Sequence, residues 1–304
     1  MLTVSRAKAP LPLALAGNQQ VQPLNNGHQA EVLSFLAARP RDTFIKTSWI
    51  CDNGLVSSFN RGTFYGYRDA KGRLEGVALI GHITLFDART DFAVAAFARL
   101  TQSCPSARAV LGEENKINQF MTYYEKRGTP PRLVCRELLL EKRSAENLDN
   151  VQPLRLASSG ELELVVQVHA QTAFEESGVN PLDADPSGFR ERCARRIDQG
   201  RVWVAIEDGR LKFKADIVSD TPSVIYVEGI YVSAAHRGNG YGARCMTQLT
   251  NHLLERTKAV CLLVNQANSA AQASYRKAGY EFREYYDTLY LQHQPPAAGR
   301  ELAA

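Results

Sequence analysis

His236-Arg-Gly-Asn-Gly-Tyr-Gly242 decides how this chain is read. Three glycines alternate with larger residues behind an arginine. Glycine occurs at that density where the backbone needs a conformation, or an approach, that a Cβ forbids. Upstream, VIYVEGIYV (Val224–Val232) is β-rich and mostly apolar, which marks a buried strand. Downstream, ARCMTQLTNHLLERTK sets Cys245, Met246, Leu249, Leu253 and Leu254 on one helical stripe. The unit is therefore strand, glycine-rich turn, helix. Such a turn aims several backbone N–H groups into one hollow, and the free amides and partial positive charge of the helix start add to them. That hollow suits a phosphate or pyrophosphate.

Three phosphate loops compete for the stretch. A nucleotide P-loop needs Gly-Lys-Ser/Thr, which is absent. A dinucleotide fingerprint needs GxGxxG early in a βαβ unit, with an acidic residue about 20 positions later. Here the spacing is Gly238-x-Gly240-x-Gly242, near the end of the chain. The third pattern, Arg/Gln-x-x-Gly-x-Gly/Ala, fits Arg237 to Gly242 at every position, and it resembles the acyl-coenzyme A loop of acetyltransferases. The next segment, CLLVNQANSAAQASYRKAGYEF, reads as strand, loop, helix, glycine, strand. It resembles the second signature of the GNAT acetyltransferase superfamily, with Asn268, Ala271, Tyr275 and Gly279 in place and Tyr280 where phenylalanine is usual. The resemblance covers about Val151 to Leu291. EESGVNP, FKADI and YYDTLYL add a likeness to bacterial GNAT proteins with a degenerate GNAT-like domain in front.

The resemblance implies transfer of an acetyl group from acetyl-CoA to a primary amine, without a metal. It implies that Ile230, Tyr231 and Val232 offer backbone groups to the pantetheine arm and the thioester oxygen. It implies that the amides of Gly238, Asn239, Gly240, Tyr241, Gly242 and Ala243 take the pyrophosphate. Arg237 opens the loop, with its side chain outside that contact. Tyr275 stands at the family's general-acid position, and a phenol of pKa about 10 can protonate a departing thiolate. Asn268 meets the cofactor or caps the following helix, and both can hold.

The base is less defined. Where some relatives carry glutamate, five residues before Asn268, this chain has Leu263. Glu228, in an otherwise apolar strand, is the candidate base, acting through a water. Glu175 and Glu176 read as a solvated acidic helix end, or as a contact for a cationic amine. Nothing in residues 169–200 defines the acceptor, and the six histidines show no ligand spacing.

The chain also repeats itself. VQPL occurs at Val21 and Val151, Gly-Arg-Leu at Gly72 and Gly209, and a tyrosine four residues before a glycine at Tyr124 and Tyr275. Three matches in one order indicate duplication with insertions in the second copy. The expected organisation is an α/β tandem of GNAT-like domains, each a mixed, mostly antiparallel sheet flanked by helices. The segments are a flexible stretch at 1–20, a degenerate domain at 21–147 and the acetyl-CoA-binding domain at 148–304. The first half lacks the glycine loop, and Asn118 sits six residues before Tyr124 rather than seven. It is expected not to bind acetyl-CoA.

The 304 residues suffice for two domains. A net charge of +4, from 36 basic and 32 acidic residues, is too small to argue for nucleic acid. No segment approaches the ~20 apolar residues of a membrane span. Six scattered cysteines read as reduced thiols of a cytoplasmic protein. A homodimer is left open. Two other functions stay open at this stage: a non-catalytic acyl-CoA-binding sensor or scaffold, and an aminoacyl-tRNA-dependent transferase, which generally lacks an intact coenzyme A loop.

Overall fold

The computed structural model describes residues 20–124, 130–148 and 151–292. Most of the stretch expected to be flexible, and Gly128 of the repeat, lie outside the described residues.

In the first half the strands are β1 (Val21–Pro23), β2 (Gly62–Arg68), β3 (Leu74–Gly81), β4 (Ile83–Ala88), β5 (Ala109–Glu113) and β6 (Leu133–Lys142). The helices there are α1 (Gln29–Leu36), α2 (Pro40–Asn53), α3 (Asp91–Ser103) and α4 (Glu114–Tyr124). The second half carries β7 (Arg155–Leu156), β8 (Val202–Glu207), β9 (Arg210–Asp220), β10 (Ile225–Val232), β11 (Val260–Asn265) and β12 (Glu281–Tyr290). Its helices are α5 (Leu162–Ser177), α6 (Pro181–Ala184), α7 (Pro186–Asp198), α8 (Tyr241–Leu254) and α9 (Ser269–Lys277).

All twelve strands join one mixed sheet in the order β1-β2-β3-β4-β5-β12-β6-β11-β10-β9-β8-β7. Each half lends its last strand to the other. β6 lies between β11 and β12, with Leu138 opposite Val264 and Leu140 opposite Leu262. β12 lies between β5 and β6. No single cut in the chain divides the described strands into two sheets.

The repeats fall at matching places. Gly72 turns β2 into β3 and Gly209 turns β8 into β9, each with positive φ. Tyr124 ends α4, and Tyr275 lies in α9. Helices cover both faces of the sheet. α3 and α4 bury Phe97, Ile117 and Phe120 on one face of the first half, while Val32, Leu36 and Ile50 of α1 and α2 pack on the other. In the second half α8 and α9 pack Leu249, Leu253 and Tyr275 against Ile225, Val227 and Leu262. α5 and α7 close the opposite face with Val165, Phe189 and Ile197.

Helix α2 also reaches across the halves. Its Phe44 packs among Leu139, Val218, Tyr226, Cys261 and Tyr286, and burying such a ring contributes about 1.5–3 kcal/mol. Ser219 Oγ donates to the Phe44 carbonyl at 2.9 Å, and Arg201 grips Asp52 through two hydrogen bonds of 2.6 and 2.8 Å. The strand exchange and this seam hold the two halves as one packed unit.

Candidate active site

The site begins where two parallel strands part. β10 and β11 pair at Ile225–Val260 and Tyr226–Cys261 and no further. Beyond Tyr226 the β11-facing edge of β10 looks into a gap, while its other edge stays paired with β9 through a bulge. Glu228 lies opposite Asp216, and Tyr231 lies opposite Lys214, so β10 carries one extra residue. Gly229 takes φ +57 within it, and a Cβ there would stand 3.1 Å from Asp216 Oδ2 and 3.2 Å from Lys214 Nζ. Ile230 and Val232 lean toward the α8 side, and Tyr231 toward α5 and α7.

The glycine loop stands at the open end of this gap. Gly238 and Gly240 both have φ +79, which glycine adopts without strain. Gly240 is the N-cap of α8 and provides no side-chain cap. Among the described residues, the amides of Gly238, Asn239, Gly240, Gly242 and Ala243 donate to no protein acceptor. The Tyr241 amide is already taken by Asn239 Oδ1 at 3.1 Å, and the Tyr241 ring lies in the core beneath the helix. Arg237 turns its Nε to the Val232 carbonyl at 2.8 Å, tying the loop to the end of β10. A Cβ on Gly242 would come within 2.9 Å of Val232 Cγ2 and 3.5 Å of Ser274 Oγ, so β10, α8 and α9 converge there. Five unsatisfied donors at an uncapped helix start fit a pyrophosphate, and an unpaired strand edge fits an amide-bearing arm.

The first half shows the contrast. There β4 and β5 also part after Leu85–Leu111, but α3 is capped by Thr90, whose Oγ1 accepts from the Ala93 amide at 3.3 Å. Arg39 crosses that opening and binds Asp87, Glu113 and Asp42 at 2.7, 2.7 and 2.8 Å.

On α9, Asn268 is the N-cap, its Oδ1 accepting from the Ala271 amide at 3.0 Å. Tyr275 is buried against the Tyr280 ring, with centroids 6.2 Å apart. Burial first, then the charge of Glu176, pushes its phenol up, so it remains protonated at neutral pH.

The far wall of the gap is charged, and much of it escapes sequence reasoning. Lys214 and Asp216, in the otherwise apolar middle of β9 between Phe213 and Val218, are fully buried and meet at 2.7 Å. Asp216 Oδ2 also receives His169 Nδ1 at 3.0 Å and Arg196 Nη1 at 3.1 Å. Burial alone would raise the Asp216 carboxyl, but Lys214, His169 and Arg196 hold it well below the usual carboxylate range. Burial and the Lys214 charge push His169 down, so it sits neutral and donates to Asp216. Arg196 then reaches Glu228 at 3.3 Å.

Glu176, at the end of α5, keeps contact with solvent but is crowded by protein. That crowding, then the charges of Glu228 and Glu137, pushes its carboxyl up to about 7. Glu175 is exposed and bonded to Gln171. Leu263 faces the apolar seam with α2. The signal for Lys214 and Asp216 was legible: two charges at alternate positions of a buried strand need each other. Glu137 gives no such signal, because it belongs to the other half of the chain.

Comparison with known proteins agrees with this geometry. Residues 168–280 match the family model described as the acetyltransferase (GNAT) family. No curated protein matches the chain. Among solved structures, an acetyltransferase of the GNAT family from Colwellia psychrerythraea is 12% identical, with 90% of this chain and 99% of that one covered and a TM-score of 0.56. A Drosophila protein reaches a TM-score of 0.64 at 12% identity, again over 90% and 99% of the two chains. A tandem GNAT protein from the clavulanic acid biosynthesis pathway gives 0.56 at 12% identity over 90% and 98%. Residues 168–280 thus form a GNAT-family domain, and the chain as a whole has the tandem GNAT fold.

Proposed function

We propose that the chain is an N-acetyltransferase that moves an acetyl group directly from acetyl-CoA to a primary amine. The observation that carries this reading is a convergence at one gap: the unpaired edge of β10, five free amides at the uncapped start of α8, and the Tyr275 phenol. The amides of Gly238, Asn239, Gly240, Gly242 and Ala243 bind the pyrophosphate. The backbone of Ile230, Tyr231 and Val232 aligns the pantetheine arm and donates to the thioester oxygen. Asn268 holds the start of α9, and with it the orientation of Tyr275.

The acceptor enters from the α5–α7 side. Its neutral nitrogen attacks the thioester carbon, and the carbonyl electrons move to oxygen, where β10 N–H groups stabilise the charge. The C–S bond then breaks, and Tyr275 gives its proton to the leaving sulfur. The proton lost by nitrogen passes to a carboxylate, directly or through a water. Glu228 and Glu176 both face this role. Glu228 is held by Arg196, whereas Glu176, near 7, suits a base working at neutral pH. Glu176 takes the proton, and Glu228 orients the incoming amine. A cytoplasmic setting suits the six free thiols, and no described helix is long and apolar enough to cross a membrane.

The test is turnover. Acetyl-CoA is incubated with amino acids, alkyl diamines, aminoglycosides and lysine peptides, and free thiol and acetylated product are read together. Amine-dependent thiol release that falls by roughly 10²-fold or more in Tyr275→Phe supports the reading. Tight acetyl-CoA binding without turnover of any amine favours a non-catalytic acyl-CoA-binding protein instead.

A further inference from the structure

One side chain in the α5–α7 wall is held for a contact that no described residue supplies. His169 projects from α5 onto β9, and its Nδ1 stands 3.0 Å from Asp216 Oδ2. The ring packs edge-on against Phe189 of α7, with centroids 5.2 Å apart, so it is fixed on two sides. The same Asp216 oxygen takes Lys214 Nζ at 2.7 Å and Arg196 Nη1 at 3.1 Å. Two cations on one carboxylate keep it ionised, and an ionised carboxylate only accepts. Nδ1 therefore carries the proton, and Nε2 of the neutral ring is a bare lone pair. Nε2 bonds to no described residue, and the side chain, 19% exposed, does not close it off from solvent.

Register sets where this lone pair stands. Asp216 lies opposite Glu228 on β10, and Arg196 joins the two carboxylates, at 3.1 and 3.3 Å. His169 is thus one ion pair away from Glu228, on the side from which the acceptor enters. The cations there are committed: Lys214 to Asp216 and the Gly229 carbonyl, Arg196 to Asp216 and Glu228. Donors are what the wall lacks, for Asp216 Oδ1 is also buried without a partner among the described residues. A ligand that fits this wall brings N–H or O–H groups to it.

On the acyl-transfer reading given above, we propose that His169 is a specificity-determining residue, whose Nε2 accepts a hydrogen bond from a second donor group of the acceptor while Glu228 meets the amine. The acceptor class is a primary amine that also carries a neutral donor, a hydroxyl or an amide N–H, as in an amino alcohol or an amino-acid amide. Asp216 acts through the ring: it fixes the tautomer that leaves Nε2 free to accept.

Two measurements test this. Ring nitrogen resonances of labelled histidine are read in the full chain at neutral pH, with His169 identified by its loss in His169→Gln. The expected ring has its proton on Nδ1 and none on Nε2. A proton on Nε2, or a doubly protonated ring, overturns the inference without any substrate. Turnover of aminopropanol is then compared with that of butylamine, which has a methyl group in place of the hydroxyl. Wild type is expected to prefer the amino alcohol by roughly tenfold or more in kcat/KM. His169→Phe keeps a ring against Phe189 and abolishes that preference through the KM of the amino alcohol. His169→Gln, whose carbonyl accepts a hydrogen bond, retains part of it. The same preference in wild type and His169→Phe, or turnover of lysine peptides but of neither small amine, overturns the inference while the transferase reading stands. Binding of acetyl-CoA without turnover of any amine removes that reading, and the inference with it.

Discussion

Lys214 Nζ lies 2.7 Å from Asp216 Oδ2, both side chains are withdrawn from solvent, and the same ammonium reaches the Gly229 carbonyl at 3.3 Å. The pair thus pins the bulge that bends β10 away from β11. Replacing Asp216 by alanine leaves a buried ammonium without its partner. The expected cost is about 3–5 kcal/mol in denaturant unfolding. The paired change Lys214→Met with Asp216→Leu recovers only the part due to the stranded ammonium, because His169 and Arg196 still lose their acceptor. It still weakens donor binding, because the Gly229 carbonyl has lost its anchor.

The same pair sets the acid limit of the fold. The native Asp216 carboxyl is depressed, so its stabilisation is complete above the ordinary carboxylate value of about 4. It declines as pH falls from there toward the native value. Thermal midpoints measured from pH 5 down to pH 2 drop more steeply in wild type than in the paired Lys214/Asp216 variant. Parallel slopes would place the acid sensitivity elsewhere.

Activity has a different pH limb. Glu176 accepts a proton near 7, so turnover at saturating acetyl-CoA falls as pH drops below that value. Glu176→Gln removes the limb and leaves a low, flat rate. Glu228→Gln keeps the limb, moves it to lower pH because a repulsive charge is gone, and raises the KM for the amine.

Arg39 spans, where β4 and β5 part, the opening that corresponds to the gap between β10 and β11. It bridges Asp87 on β4, Glu113 on β5 and Asp42 on α2. Arg39→Ala leaves three carboxylates facing one another and costs roughly 2–3 kcal/mol, discounted for the one-third exposure of the arginine. The acetyl-CoA stoichiometry stays unchanged, because Thr90 still caps α3 and no glycine loop exists there.

The sequence was most informative where local backbone chemistry dictates structure. Gly238, Gly240 and Gly242 announced a loop with open amides, and the α8 stripe from Cys245 to Leu254 announced the helix behind it. Asn268 announced a cap. The duplication was legible in Gly72 and Gly209 because both turns need positive φ. The strand exchange was not. β6 and β12 carry ordinary strand patterns, and nothing in LVCRELLLEK states which half its hydrogen bonds will serve. The carboxylate set was legible only in part for the same reason. Glu228 stood out against its strand, whereas Glu176 looked like a solvated helix end. Its carboxyl is raised by burial first, and then by the charges of Glu228 and Glu137, which are distant in sequence. Tyr241 shows a feature the motif does not carry. Its place within the loop motif suggested a phosphate contact, yet its amide is taken by Asn239 and its ring belongs to the core.

On the proposed reading, the free amides of the glycine loop hold the acyl donor. Calorimetric titration of acetyl-CoA into wild type and Gly240→Val tests it most directly. Gly240 has φ +79, so valine strains the loop locally, by about 1–3 kcal/mol, while the core of α8 stays intact. One site per chain is expected in wild type, and none in a variant that still unfolds cooperatively. A wild type that does not bind acetyl-CoA, or a folded Gly240→Val that binds as well as wild type, would contradict it.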